Sequence, residues 1–271
     1  MQRPLHFISG LPRSGSTLLS ALLRQNPRFH AGMSGPVAGL LGVLSGEMSQ
    51  RNEYSLFISN EQRARILRGL VDNYYGAEIA GEVIFDTNRS WCARLPAISE
   101  LFPESRVIAC VRDIAWVIDS IERLVQRNAL LPSPIFNYAH GSTVYTRTAM
   151  LQNAEGLVGY AFDALKEGFF GPHADRLMLV QYDSLCSNPA RVMDAVYDFI
   201  GEPRFAHDYD NVVFDAAEFD QRTGTPGLHH VRGKVSHEAR PTILPPDIFH
   251  RFDNDSFWRN VQPGSCRARI V

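Results

Sequence analysis

Residues 5–23, LHFISGLPRSGSTLLSALL, admit few folds. Leu5, Phe7 and Ile8 read as a short apolar strand, and from Thr17 onward Leu18, Leu19, Leu22 and Leu23 recur at helix spacing. Between them, residues 10–17 are a turn built from residue types that tolerate sharp backbone bends. A strand feeding such a loop into a helix leaves free backbone N–H groups converging at the positive end of the helix dipole, which is an anion site. The spacing nearly matches the phosphate-loop pattern G-x-x-x-x-G-K-S/T. Gly10 and Gly15 keep the separation and Thr17 supplies the hydroxyl, but Ser16 stands where the lysine belongs, and the positive charge is Arg13, inside the loop. A kinase or ATPase sets that lysine on the terminal phosphates with a metal between them. Here Arg13, the hydroxyls of Ser14, Ser16 and Thr17, and backbone amides suit a compact anion held without a metal.

The rest of the chain must bury a large core around this unit. Its 271 residues are 45% hydrophobic and 21% charged, the balance of a globular protein. The net charge of −2 implies no general affinity for nucleic acid or acidic membrane, so a basic site has to be local. Cys92, Cys110, Cys186 and Cys266 lack metal-ligand spacing, and Cys110 falls in an apolar strand pattern as a buried free thiol. No secretory signal precedes the first strand and no apolar run reaches membrane-span length, so a cytoplasmic protein is expected. Association of identical chains is left open.

Strand and helix patterns alternate. Residues 26–27 (Asn-Pro) stop the first helix, 29–37 read as an irregular connection, and 37–48 read as a helix. The spacing predicts a helix over 61–79, with Ile66, Leu67, Leu70 and Val71 inward and Arg63, Arg65 and Arg68 outward. Strands are predicted at 83–85, 106–111 and 177–180, and helices at 91–102, 114–125, 147–170 and 188–201. Residues 130–145 carry few helical signals and are the candidate lid. From about 202 periodicity weakens, 223–234 (TGTPGLHHVRGK) reads as loop, and 245–252 reads as a short helix. No linker divides the chain, so one domain over 1–271 is expected. Such alternation means an α/β fold: a P-loop-like, three-layer α/β/α arrangement on a mostly parallel sheet. Ligands bind at the carboxyl ends of the strands of such a sheet, where residues 10–17, 86–89, 112–113 and 181–183 supply polar clusters.

One of these clusters looks like a second anion clamp. Arg112 ends the third predicted strand, and Ser120 follows eight positions later (120 − 112), about two turns into the next helix. Arg112 and Ser120 can grip one further phosphate. The alternative is Arg112 paired to Asp113 or Asp119.

With both clamps in place, the sequence resembles the sulfotransferases that use 3′-phosphoadenosine 5′-phosphosulfate (PAPS). Their first motif is similar to Pro12-Arg13-Ser14-Gly15-Ser16-Thr17 and binds the 5′-phosphosulfate; their second has Arg and Ser spaced as Arg112 and Ser120 are and binds the 3′-phosphate. Residues 180–183 (VQYD), followed by Asn188-Pro189, resemble the family's V-x-Y-E/D segment, which implies that Tyr182 lies near the adenine. The first motif leans toward the protein-tyrosine and bacterial branches. The resemblance further implies a C-terminal loop returning over the donor, with Arg232 and Lys234 as candidates for its phosphates.

What the resemblance implies is sulfuryl transfer from PAPS to an acceptor hydroxyl, leaving adenosine 3′,5′-bisphosphate (PAP). The acceptor class stays open among peptide tyrosine, sugar, lipid and secondary metabolite. The base is the departure from pattern. The Gly-Glu-Glu segment of the protein-tyrosine branch corresponds to Gly32-Met33-Ser34, and the Lys-Thr-His segment of cytosolic members to Asp86-Thr87-Asn88-Arg89. Arg89 can replace the lysine as the cation on the transferring group, and Asp86 is the candidate base, although capping a turn is the commoner role for such an Asp. His30, His140 and His229 are further candidates. The competing readings are a phosphate-loop small-molecule kinase and a non-catalytic nucleotide-binding protein.

Overall fold

The computed structural model describes residues 3–76, 81–131, 134–136, 143–262, 264 and 266–271. The strands are Leu5–Gly10 (β1), Phe29–Ala31 (β2), Val83–Thr87 (β3), Val107–Val111 (β4), Leu177–Gln181 (β5) and Arg269–Ile270 (β6). They form one sheet in the order β2-β3-β1-β4-β5-β6, and every pairing is parallel. The helices in chain order are Ser16–Leu23 (α1), Val37–Glu47 (α2), Asn60–Tyr74 (α3), Leu95–Leu101 (α4), Ile114–Arg127 (α5), Val144–Gln152 (α6), Gly159–Phe170 (α7), Tyr182–Ser187 (α8), Pro189–Ile200 (α9), Ala217–Arg222 (α10) and Pro246–His250 (α11).

The continuous apolar strands belong to a sheet buried on both faces. Successive side chains point to opposite faces. Leu5, Phe7, Ile84, Val107, Ala109, Val111, Leu177 and Leu179 pack on one side with α5 and α7. Ile8, Val83, Phe85, Ile108, Cys110, Met178 and Val180 pack on the other with Leu19, Leu22 and Leu23 of α1 and Val192, Val196 and Tyr197 of α9. This is the expected α/β/α sandwich. The helix after β1 and the helix after β4 therefore lie on opposite faces of adjacent strands. Such a reversal opens a crevice at the strand ends, where ligands bind in folds of this kind.

Several local expectations are corrected. Residues 29–31, read as irregular, form the edge strand β2, and β6 was not expected; both are very short, so neither builds a detectable apolar period. The helix predicted over 61–79 is α3, begun by a capping box of Ser59 and Gln62; the predicted end at Ile79 lies outside the described residues. Only Val71 of its predicted inner face is buried. Its arginines hold neighbouring backbone instead: Arg63 Nε donates to the Met48 carbonyl at 2.9 Å, and Arg68 Nε to that of Leu101 at 2.8 Å. The stretch 147–170 divides into α6 and α7 around a turn in which the Gly156 amide donates to the Asn153 carbonyl. Much of the candidate lid at 130–145 lies outside the described residues.

The chain after residue 202 is irregular but well anchored. Leu244, Ile248, Phe252 and Trp258 enter one side of the core, Val212 and Val235 the other, and β6 extends the sheet. Among the described residues no helix is long and apolar enough to cross a membrane.

Candidate active site

The loop between β1 and α1 is shaped by close backbone approach. Gly10 has φ 105°, and a Cβ there would stand 2.2 Å from the Cys110 carbonyl oxygen of β4. Leu11 then donates its amide to that oxygen at 2.9 Å, fixing the loop to the neighbouring strand. Arg13 (φ 58°) and Gly15 (φ 96°) adopt the left-handed conformation that turns the chain into α1. No side chain caps α1, and the first bond of its ladder runs from the Leu19 amide to the Gly15 carbonyl. Among the described residues, the amides of Ser14 to Leu18 have no acceptor, which leaves a row of donors for an anion.

These amides open into a cavity of about 490 Å³, walled by Pro12, Arg13, Gly15, Ser16 and Thr17 together with Arg112, Ser120 and Tyr182. The two sequence motifs thus meet across the crevice between β1 and β4. Arg13 links them directly: its Nε donates to Ser120 Oγ at 3.1 Å, and its guanidinium also donates to the Leu228 carbonyl. Burial, and next the neighbouring Arg112, lower the pKa of Arg13 from the usual guanidinium value. Arg112 lies 4.1 Å from the centroid of the Tyr182 ring, and its buried Nε has no hydrogen-bond partner among the described residues. Asp119, the alternative partner, is taken by Arg123 and Arg240 at 2.9 and 2.6 Å. Ser14 differs from its neighbours in the motif. It is fully buried, stands off the cavity wall and turns its hydroxyl back to the Pro12 carbonyl, so only its amide is available to a ligand.

Eight basic side chains and one carboxylate, Glu238, stand on the described wall. Arg13, Arg89, Arg112 and Arg127 have no carboxylate partner among the described residues. Arg127 was not expected, although it lies seven positions after Ser120 (127 − 120), two turns along the same helix face. Arg232 and Lys234 also reach the wall, but each is exposed and paired, Arg232 with Glu238 and Lys234 with Asp210 at 2.8 Å. Exposed pairs of this kind hold about 0–1 kcal/mol, so an incoming phosphate can displace them.

The carboxylates at the strand ends do not face the cavity. Asp86 is buried within β3, where Tyr75 Oη donates to Oδ2 at 2.5 Å and Trp91 Nε1 to Oδ1 at 2.8 Å. Burial raises its pKa, and the two hydrogen bonds oppose that rise. Asp86, expected as the base, thus has its oxygens occupied by core donors and is absent from the described wall. Asp113 is bonded by Ser256 and lies 3.1 Å from Arg259. Arg89 does line the cavity. His30 lies away from it, its ring 5.9 Å from that of Tyr75. His140 lies outside the described residues. His229 stands on the wall.

The model of the sulfotransferase family matches residues 4–207. No curated protein matches the chain in sequence. Among solved structures, the sulfotransferase STF9 from Mycobacterium avium is similar over 96% of this chain and 77% of its own, with 16% identity and a TM-score of 0.52. The sulfotransferase domain from the curacin biosynthetic pathway is similar over 76% of each chain, with 18% identity and a TM-score of 0.50. Those likenesses show the fold, and the family match spans β1 to α9 with both anion motifs inside it: the chain belongs to the sulfotransferase family.

Proposed function

We propose that this protein transfers the sulfuryl group of PAPS to an acceptor hydroxyl. The observation that carries the proposal is the set of four guanidinium groups, Arg13, Arg89, Arg112 and Arg127, around one cavity without carboxylate partners among the described residues. Cations held this close repel one another, and a polyanionic ligand relieves that repulsion. The orphaned Nε of Arg112 gives such a ligand a further donor.

In this reading Arg13, the amides of Gly15 to Thr17 and the hydroxyls of Ser16 and Thr17 hold the 5′-phosphosulfate. Arg112 and Ser120 hold the 3′-phosphate, Tyr182 flanks the adenine, and Arg232 and Lys234 close from the C-terminal segment. Arg89 faces the sulfuryl group during transfer. The arrangement serves an in-line displacement, in which the protein positions two partners and stabilises charge on the departing phosphate. A magnesium-dependent kinase is less compatible with the site, since Asp86 and Asp113 are engaged elsewhere and Ser16 replaces the lysine.

Labelled sulfate carried from PAPS to an acceptor hydroxyl, supplied as a panel of phenols, tyrosine peptides and sugars, tests the activity. The site assignment is tested separately by Arg13→Ala and Arg112→Ala. Each removes a charge-assisted phosphate contact worth about 1.5–3 kcal/mol, so PAP affinity should fall roughly tenfold or more. Affinity close to wild type in either variant would contradict the assignment.

A further inference from the structure

The cavity wall carries a histidine backed by a buried carboxylate. Asp220, on α10, is 2% exposed, and both of its oxygens face residue 229. Oδ1 lies 2.5 Å from His229 Nδ1, and Oδ2 accepts the His229 backbone amide at 2.8 Å. The segment between them is fixed as well: the Thr225 amide donates to the Asp220 carbonyl at 2.8 Å, and the Leu228 carbonyl accepts from Arg13 of the anion loop. His229 is thus one residue from a direct contact with the motif assigned to the phosphosulfate. A carboxylate at Nδ1 holds the proton on that nitrogen and leaves the Nε2 lone pair available, the arrangement that orients a histidine for proton abstraction.

We infer that His229 is the general base of the transfer and that Asp220 is its positioning residue. The inference rests on the sulfotransferase reading above. As the acceptor oxygen bonds to sulfur, its proton passes to His229 Nε2. The bond between sulfur and the bridging oxygen of the 5′-phosphate breaks, with its electron pair leaving on PAP. Asp220 stabilises the imidazolium until the proton is released to water. The eight basic side chains and Glu238 share this described wall, His230 adjoins His229 on it, and Phe219 lies 5.8 Å from the His229 ring. A base in this position accounts for the absence of the carboxylate and histidine that the resemblance led one to expect at 32–34 and 86–89. It comes from beyond the family match, which ends at residue 207.

The test compares wild type with His229→Asn, whose amide can still donate to Asp220, and with Asp220→Asn. Three quantities are read: PAP affinity by calorimetry, release of labelled sulfate from PAPS to water as the stand-in acceptor, and the ring nitrogen shifts of His229. His229→Asn should leave PAP affinity within about twofold and slow sulfate release at least a hundredfold. Asp220→Asn should move the ring proton from Nδ1 to Nε2 and slow release about tenfold. An unchanged rate in His229→Asn, or a loss of PAP affinity as large as the loss of rate, would overturn the inference. Failure of wild type to bind PAP would overturn the donor reading and this one with it, a result the two variants cannot mimic.

Discussion

Burial decides which polar side chains serve the fold and which serve the cavity. His6 is buried in β1 with Nε2 unpartnered among the described residues, and burial, then Arg106, lowers its pKa from 6.5 to about 4. A folded pKa below the unfolded one means that stability is full above about pH 6.5 and is lost as the pH falls toward about 4. The loss is on the order of 3 kcal/mol. His6→Asn keeps an acceptor for the Arg106 amide but cannot charge, so its urea midpoint should change much less between pH 7 and 4.5 than that of wild type. Asp86 gives the opposite lesson. Asp86→Asn should lower stability by about 1–3 kcal/mol through its weakened bonds to Tyr75 and Trp91, yet leave PAP affinity and the transfer rate within a few-fold. A hundredfold slower rate with intact PAP binding would restore Asp86 as the base. Pro12 to Thr17, Arg112 and Ser120 were legible because their spacing is local to one loop or one helix. The engagement of Asp86 depends on Tyr75 and Trp91, and no local pattern announces that.

At the scale of elements, the β1–α1 unit is the most constrained part of the chain. Gly10 combines a positive φ with a backbone contact that leaves no room for a side chain. Gly10→Ala must shift β1 against β4 and should cost more than about 3 kcal/mol, as strained backbone substitutions do. Melting temperature and PAP affinity should fall together; a variant as stable as wild type would refute this account of the loop. Central strands and the helices α1, α5 and α9 were legible because their apolar periods are long. The edges β2 and β6, the division of α6 from α7, and the carbonyl-binding arginines of α3 were not, since each is decided by neighbours far away in sequence.

At the scale of the molecule, reversal of the crossovers between β1 and β4 places two anion motifs, more than ninety positions apart in sequence, on one crevice. Strand–helix alternation was enough to anticipate that layout. The closing wall was legible only in outline, because residues 219–240 lack periodicity and are fixed by single contacts. Asp119, beside Ser120 on α5, collects Arg240, the Thr242 hydroxyl and the Ile243 amide, so it fastens this segment next to the second motif. As proposed above, this wall and the two motifs make one pocket for an adenosine bisphosphate. The most direct measurement is calorimetric titration with PAP in the absence of added metal, beside ATP with magnesium. PAP should bind tightly and ATP weakly; tight ATP–magnesium binding with no heat from PAP would overturn the donor assignment.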